Sequence, residues 1–158
     1  MKLATTSVLQ GQPIDGHKPS IQIAIEPSFN NHVFLQLQLN KEDIAWYRTT
    51  WLKLSDTGKF NNPIENLKYT GKEIIPTIIY ENGTMELAKA KKIFDFTNQL
   101  SVKPQLDKQS EIVLDGCKYT LTIANGSAQA TYKWHYIPGE WSDLQILANM
   151  LCELNEKL

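Results

Sequence analysis

The last third of the chain constrains the fold most. Between Ala130 and Tyr136 the large side chains alternate, with Ala130, Tyr132, Trp134 and Tyr136 on one side and Thr131, Lys133 and His135 on the other. Successive side chains of an extended strand point to opposite faces, so this stretch predicts a strand with one apolar face. Pro138-Gly139 ends it, and the period of the apolar residues then changes. From about 140 to 156, Leu144, Leu147, Ala148, Leu151 and Leu154 recur at helical spacing, flanked by Trp141 and Met150. Gln145, Asn149, Glu153 and Glu156 take the other side. Burying each aliphatic side chain of that stripe is worth about 1.5–3 kcal/mol, enough to hold the helix against a sheet.

The strands that such a helix would cover are visible upstream. Tyr119, Leu121 and Ile123 alternate between turn signals at Asp115-Gly116 and Asn125-Gly126, and Ile112 to Leu114 form one more short strand. Ile21, Ile23 and Ile25 share a face, as do Val33, Leu35, Leu37 and Leu39, and Pro27-Ser28-Phe29-Asn30-Asn31 suits a hairpin connection. The opposite face of the second strand carries His32, Phe34, Gln36 and Gln38, a pattern expected of an antiparallel sheet covered on one side only.

The middle of the chain is less regular. Asn40 followed by Glu42 and Asp43 resembles a helix start, which predicts a short helix over 41–49 with Ile44, Tyr47 and Trp51 toward the core. Trp46 would then project about 130° away from that stripe. Residues 50–55 read as a returning strand, 59–72 as an irregular connection, and Ile74 to Tyr80 as a strand with Pro76 at an edge or bulge. Asn82-Gly83 reads as a turn, and 84–100 as a helix with Leu87, Ala90, Phe94 and Thr97 on one stripe, in preference to a strand pairing back through that turn. A weak strand at 2–9 and a loop at 10–19 precede all of this. The expected class is α+β: one domain over 1–158, mainly an antiparallel sheet, a long C-terminal amphipathic helix packed on one face, and one or two shorter helices.

Chemistry leaves little trace. Sixteen basic against seventeen acidic side chains give a net charge of -1, without the basic excess of a general nucleic-acid binder. Lys89, Lys91 and Lys92 form the densest basic patch, offset by Glu86 and Asp95. The eight glycines stand singly in turns, with no phosphate-cradling motif among them. His17, His32 and His135 are far apart and lack metal-ligand spacing, so neither a metal nor a cofactor is expected. Cys117 and His135 on adjacent strands could in principle meet, but no nucleophile motif supports a catalytic pair. Cys117 and Cys152 read as two free thiols, with a single disulfide as the alternative. The polar N-terminal stretch lacks a signal-like core and no apolar run is long enough to cross a membrane, which points to the cytoplasm.

These observations favour a non-enzymatic domain that binds one protein partner, of the kind a bacterial immunity protein or an inhibitor represents. Neither nucleic acid nor membrane is expected as partner, and a homodimer is compatible. Phe29 in its hairpin loop, Phe34 on an otherwise polar strand face and Trp46 off its helix stripe are the candidate anchors. Two alternatives stand beside this. One is an enzyme or small-molecule binder with a pocket built from His32, His135, Glu26 or Cys117, and the other is a structural or assembly subunit.

Overall fold

The computed structural model describes residues 18–28, 30–52, 77–102, 116–135, 137 and 139–158. Its frame is a six-stranded antiparallel sheet built from β1 (Ser20–Pro27), β2 (His32–Leu39), β3 (Asp43–Trp51), β4 (Ile78–Glu86), β5 (Cys117–Asn125) and β6 (Ala128–Trp134), in the order β4-β3-β2-β1-β5-β6. Helix α1 (Leu87–Thr97) follows β4 directly, and a turn of 3-10 helix at Gly139–Trp141 leads into α2 (Ser142–Asn155). The α+β class and the antiparallel sheet expected from the sequence are both present. The strand predictions at 2–9, Ile112–Leu114 and Ile74–Ile75, and the irregular connection at 59–72, lie outside the described residues.

Register explains how the core assembles. Ile23 lies opposite Leu35 on one side and Leu121 on the other, and Ile21 lies opposite Leu37 and Ile123. This puts the aliphatic faces of β1, β2 and β5 side by side. Ile21, Ile23, Leu35, Leu37, Ile44 and Leu121 are all essentially inaccessible, and they form one cluster with Ala90, Ile93 and Phe94 of α1 and Leu144, Leu147, Ala148 and Leu151 of α2. The stripe read from the sequence is the buried side of α2.

Helix α2 is a strap across the sheet. Near its start, Trp141 meets Tyr132 of β6 edge to face at 5.9 Å between ring centroids. At its far end, Arg48 of β3 donates from Nη1 to the carbonyl oxygen of Asn155 at 2.9 Å. Fourteen residues of helix at 1.5 Å each extend for about 21 Å. Four inter-strand steps from β6 to β3 cover about 19 Å at the usual spacing. Helix length and sheet width therefore match.

The predicted helix over 41–49 is instead strand β3. Asp-Ile-Ala-Trp-Tyr-Arg-Thr-Thr-Trp is rich in β-branched and aromatic residues, which pack well on a pleated surface. Asn40, taken as a helix cap, makes the hairpin turn. Its backbone N–H donates to the Asp43 carbonyl at 2.9 Å and its side-chain amide to the Asp43 carboxylate at 2.6 Å. The same short polar groups serve a cap or a turn, so their presence alone did not discriminate. The consequence is a change of face. Ile44 and Trp46 point to the helix side, whereas Tyr47 and Trp51, placed with Ile44 on a helical stripe, belong to the other side.

Asn82-Gly83 is likewise not a turn. Both residues lie in the middle of β4, with Trp46 opposite Gly83 and Tyr47 opposite Asn82. The strand continues to Glu86 and the helix runs from Leu87 to Thr97, so the helix expected over 84–100 is present but starts three residues later, and among the described residues no strand pairs back through Asn82-Gly83. At β5–β6 the turn prediction holds. Asn125 pairs with Ala128 across a two-residue loop, and Gly126 sits at φ 60°, the left-handed region that a side chain resists. A Cβ there would meet nothing within 4 Å, so the cost is conformational. Gly126→Ala is expected to lower stability by about 1–2 kcal/mol, measured by chemical denaturation.

Over the central strands the second face of the sheet is buried as well, while Tyr80, Gln129, Thr131 and Lys133 are exposed on it at the two edges. Phe34 is 6% exposed, Gln36 0% and Gln38 9%, with Ser20, Thr49 and Thr122 similarly enclosed. One-sided coverage, inferred from the polar residues of β2, is therefore corrected. Gln36 accepts a hydrogen bond from Gln22 at 3.2 Å, while its own amide nitrogen is buried without a partner among the described residues.

Candidate functional site

Trp46 stands at the wall of a groove among the described residues. Its strand places it on the helix side of the sheet, opposite Gly83 of β4. Three atoms of the indole lie 3.1 Å from where a Cβ on Gly83 would stand, so the ring lies flat across the glycine. A glycine inside a strand commonly marks such a close approach. The guanidinium of Arg48 sits 5.9 Å from the indole centroid, within cation–π range. Arg48 also donates from Nε to Glu81 at 2.7 Å while reaching the α2 terminus, so one side chain joins β3, β4 and α2. That hydrogen bond, aided by the charge of Arg48, holds the Glu81 carboxyl below its ordinary range.

The indole forms one wall of a groove of about 630 Å³ between the ends of α1, α2 and the β3–β4 edge. Apolar lining comes from Met85, Ile93, Met150, Leu154 and Leu158 together with Trp46. Lys89 and Lys92 project from α1 and Lys157 from the end of α2, with Glu153 and Thr84 as the remaining polar contributors. Three lysines against one glutamate give the rim an excess of two positive charges in a chain whose total is -1. Lys89 and Lys92 belong to the basic patch noted in the sequence; the fold gives it an apolar floor.

The other candidates fall elsewhere. Phe34 is enclosed on the opposite face, which corrects its reading as a surface anchor; Phe29 lies outside the described residues. The polar groups considered for an assembled pocket come to one end of the sheet but stay on different faces. Glu26 is opposite Lys118 and bonded to it at 2.9 Å, and His32 makes an edge-to-face contact with Trp51 at 4.9 Å. Cys117 shares the face of Tyr119, which stacks on Trp134 at 5.4 Å, and His135 is exposed just past the end of β6. Among the described residues no group of three or more His, Cys, Asp or Glu could hold a metal ion.

Cys117 and Cys152 are both free and half-buried. Burial pushes both thiols above their ordinary range; Cys117 and Glu156 raise Cys152 further, whereas the hydrogen bond with Tyr119 offsets part of the rise at Cys117. Tyr119, desolvated beside Cys117, is pushed up to about 12. A protonated thiol is a poor nucleophile. Both cysteines are therefore expected to react with an aromatic disulfide reagent at neutral pH at least about tenfold more slowly than free cysteine, as followed by thiolate release.

Comparison with protein-family models, curated proteins and solved structures finds no match to this chain. Among the described residues no helix is long and apolar enough to cross a membrane.

Proposed function

We propose that this chain is a non-enzymatic binding domain that takes one protein partner in the groove beside Trp46, through an apolar anchor flanked by acidic groups. One observation carries the reading: a half-buried indole, held by Gly83 and Arg48, walls an apolar groove whose rim is lysine-rich. Tryptophan is favoured at binding hot spots because a large rigid surface is desolvated at small entropic cost. Lysines around it would steer an acidic partner and reject a basic one. A role in neutralising or escorting that partner, as immunity-type and inhibitor proteins do, fits this design. The two free thiols support a reducing compartment such as the cytoplasm.

A photocrosslinking residue introduced at Lys92 or Lys157 is expected to capture one stoichiometric protein in the native cell, and the same residue at Thr131 is not. Trp46→Ala should weaken the captured complex by about 30-fold or more. Lys89→Glu with Lys92→Glu should slow association by about tenfold at low salt. Equal capture from Thr131, or none from the groove, would falsify the proposal. The groove volume favours a second reading, because about 630 Å³ falls within the usual range for small-molecule sites. An anionic amphiphile retained in native mass spectra, and lost with Trp46→Ala, would support that reading instead.

A further inference from the structure

The two edges of the sheet are built differently. β6 carries Lys133, Thr131 and Gln129 as exposed residues, the polar side chains that keep an edge from pairing with another chain. β4 has neither lysine nor proline along its nine residues, and its pairing with β3 runs without a bulge from Ile78 opposite Trp51 to Glu86 opposite Asp43. Ile79 and Tyr80 are 41% and 65% exposed, two of the three exposed large hydrophobic residues among those described. Among the described residues no strand pairs with the outer side of β4. β4 is thus a nine-residue unbulged edge that exposes Ile79 and Tyr80 beside the polar Glu81, Asn82, Thr84 and Glu86, and an unpaired edge strand is a template for an added strand.

We propose that β4 pairs antiparallel with β4 of a second copy of this chain, with the two-fold axis at Asn82. The sequence of the strand is compatible with a second copy as occupant, and the two-fold register that pairs the most residues is the one centred on Asn82. Centred on Asn82, all nine residues pair: Ile78 faces Glu86 of the second copy, Ile79 faces Met85, Tyr80 faces Thr84 and Glu81 faces Gly83. Each exposed apolar residue gains a neighbour, no two carboxylates stand directly opposite, and the two Asn82 amides meet at the axis. A register centred on Glu81 would oppose two carboxylates, and one centred on Tyr80 would set Ile79 against Glu81. Like charges directly opposite are destabilising. A strand that complements itself in one full-length register fits an isologous dimer. This does not depend on the groove having a partner.

Light scattering on the purified full chain at about 100 µM, where a micromolar Kd leaves the dimer dominant, is expected to give twice the chain mass. Ile79→Lys with Tyr80→Lys, both on exposed side chains and checked for unchanged circular dichroism, should return the monomer. Register is tested by cross-linking in a Cys117→Ser, Cys152→Ser background. Asn82→Cys places two thiols opposite each other, with Cα atoms about 4.5–5.5 Å apart, inside disulfide range. Thr84→Cys leaves its own mate four residues away, about 13 Å. Asn82→Cys should therefore form a covalent dimer under mild oxidation and Thr84→Cys should not. A wild-type chain that stays monomeric overturns the proposal. So does a dimer indifferent to the two lysines, equal cross-linking at Thr84, or a strand of another protein bound at this edge instead.

Discussion

Leu147→Ala is expected to lower the free energy of unfolding by about 2–5 kcal/mol, the range for truncating a fully buried leucine. Leu147 is 0% exposed and lies in the cluster that joins α2 to Ile21, Ile23, Leu35, Leu37 and Leu121. The loss has two sources, the transfer energy of the deleted methyl groups and the cavity left where a straight helix cannot collapse onto the sheet. Its neighbour Ile146 is 46% exposed on the same helix, and Ile146→Ala should change stability by no more than about 0.5 kcal/mol. Urea denaturation of both variants checks the pair. A similar small loss for each would mean that α2 is not clamped as described.

Arg48→Ala carries the second large expectation. The guanidinium donates to the Asn155 carbonyl at the end of α2, and a hydrogen bond to a charged donor is worth about 1.5–3 kcal/mol. Removing it leaves the last turn of the strap untied, next to the groove residues Leu154 and Lys157. Arg48→Lys should restore little, because a single ammonium cannot reproduce the planar fork that serves Glu81 and Asn155 together. Glu81 gives the pair a pH signature. Its folded pKa lies below the ordinary 4.5, so its contribution is present above that value and is lost as pH falls through the folded pKa. Wild-type stability should therefore decline over this acidic window more steeply than that of Arg48→Ala. Glu81 is solvent-exposed and screened, so the difference in slope will be small.

Where a residue's surroundings were local, sequence and structure agree. The alternation of β5 and β6, the turn at Gly126 and the leucine stripe of α2 are set by chain neighbours, and each occurs where its period placed it. β3 and β4 went differently because their signals were ambiguous at short range. Asn40 can cap or turn, and Asn82-Gly83 normally reverses a chain. The partner decided both. Gly83 stays in a strand because the Trp46 indole covers it, and Trp46 can do so only once β3 is extended.

The candidate site shows the same division. Trp46, expected to stand off a helical stripe, is a strand residue on the helix-covered face and lines the groove there. The lysines of α1 were visible as a charge cluster; their meeting with Lys157, from more than sixty positions along the chain, was not. Phe34, expected at the surface, is interior, because Gln36 and Gln38 beside it on β2 are themselves enclosed.

The leucine-striped C-terminal helix and the strands beneath it follow from periodicity, since burying one face is a requirement that every local segment states for itself. Which edge of the sheet lies open, and what gathers at the end of the strap, depends on contacts between distant segments. Hydrophobic burial rewards those contacts without direction, so they become definite only when register, helix length and sheet width agree.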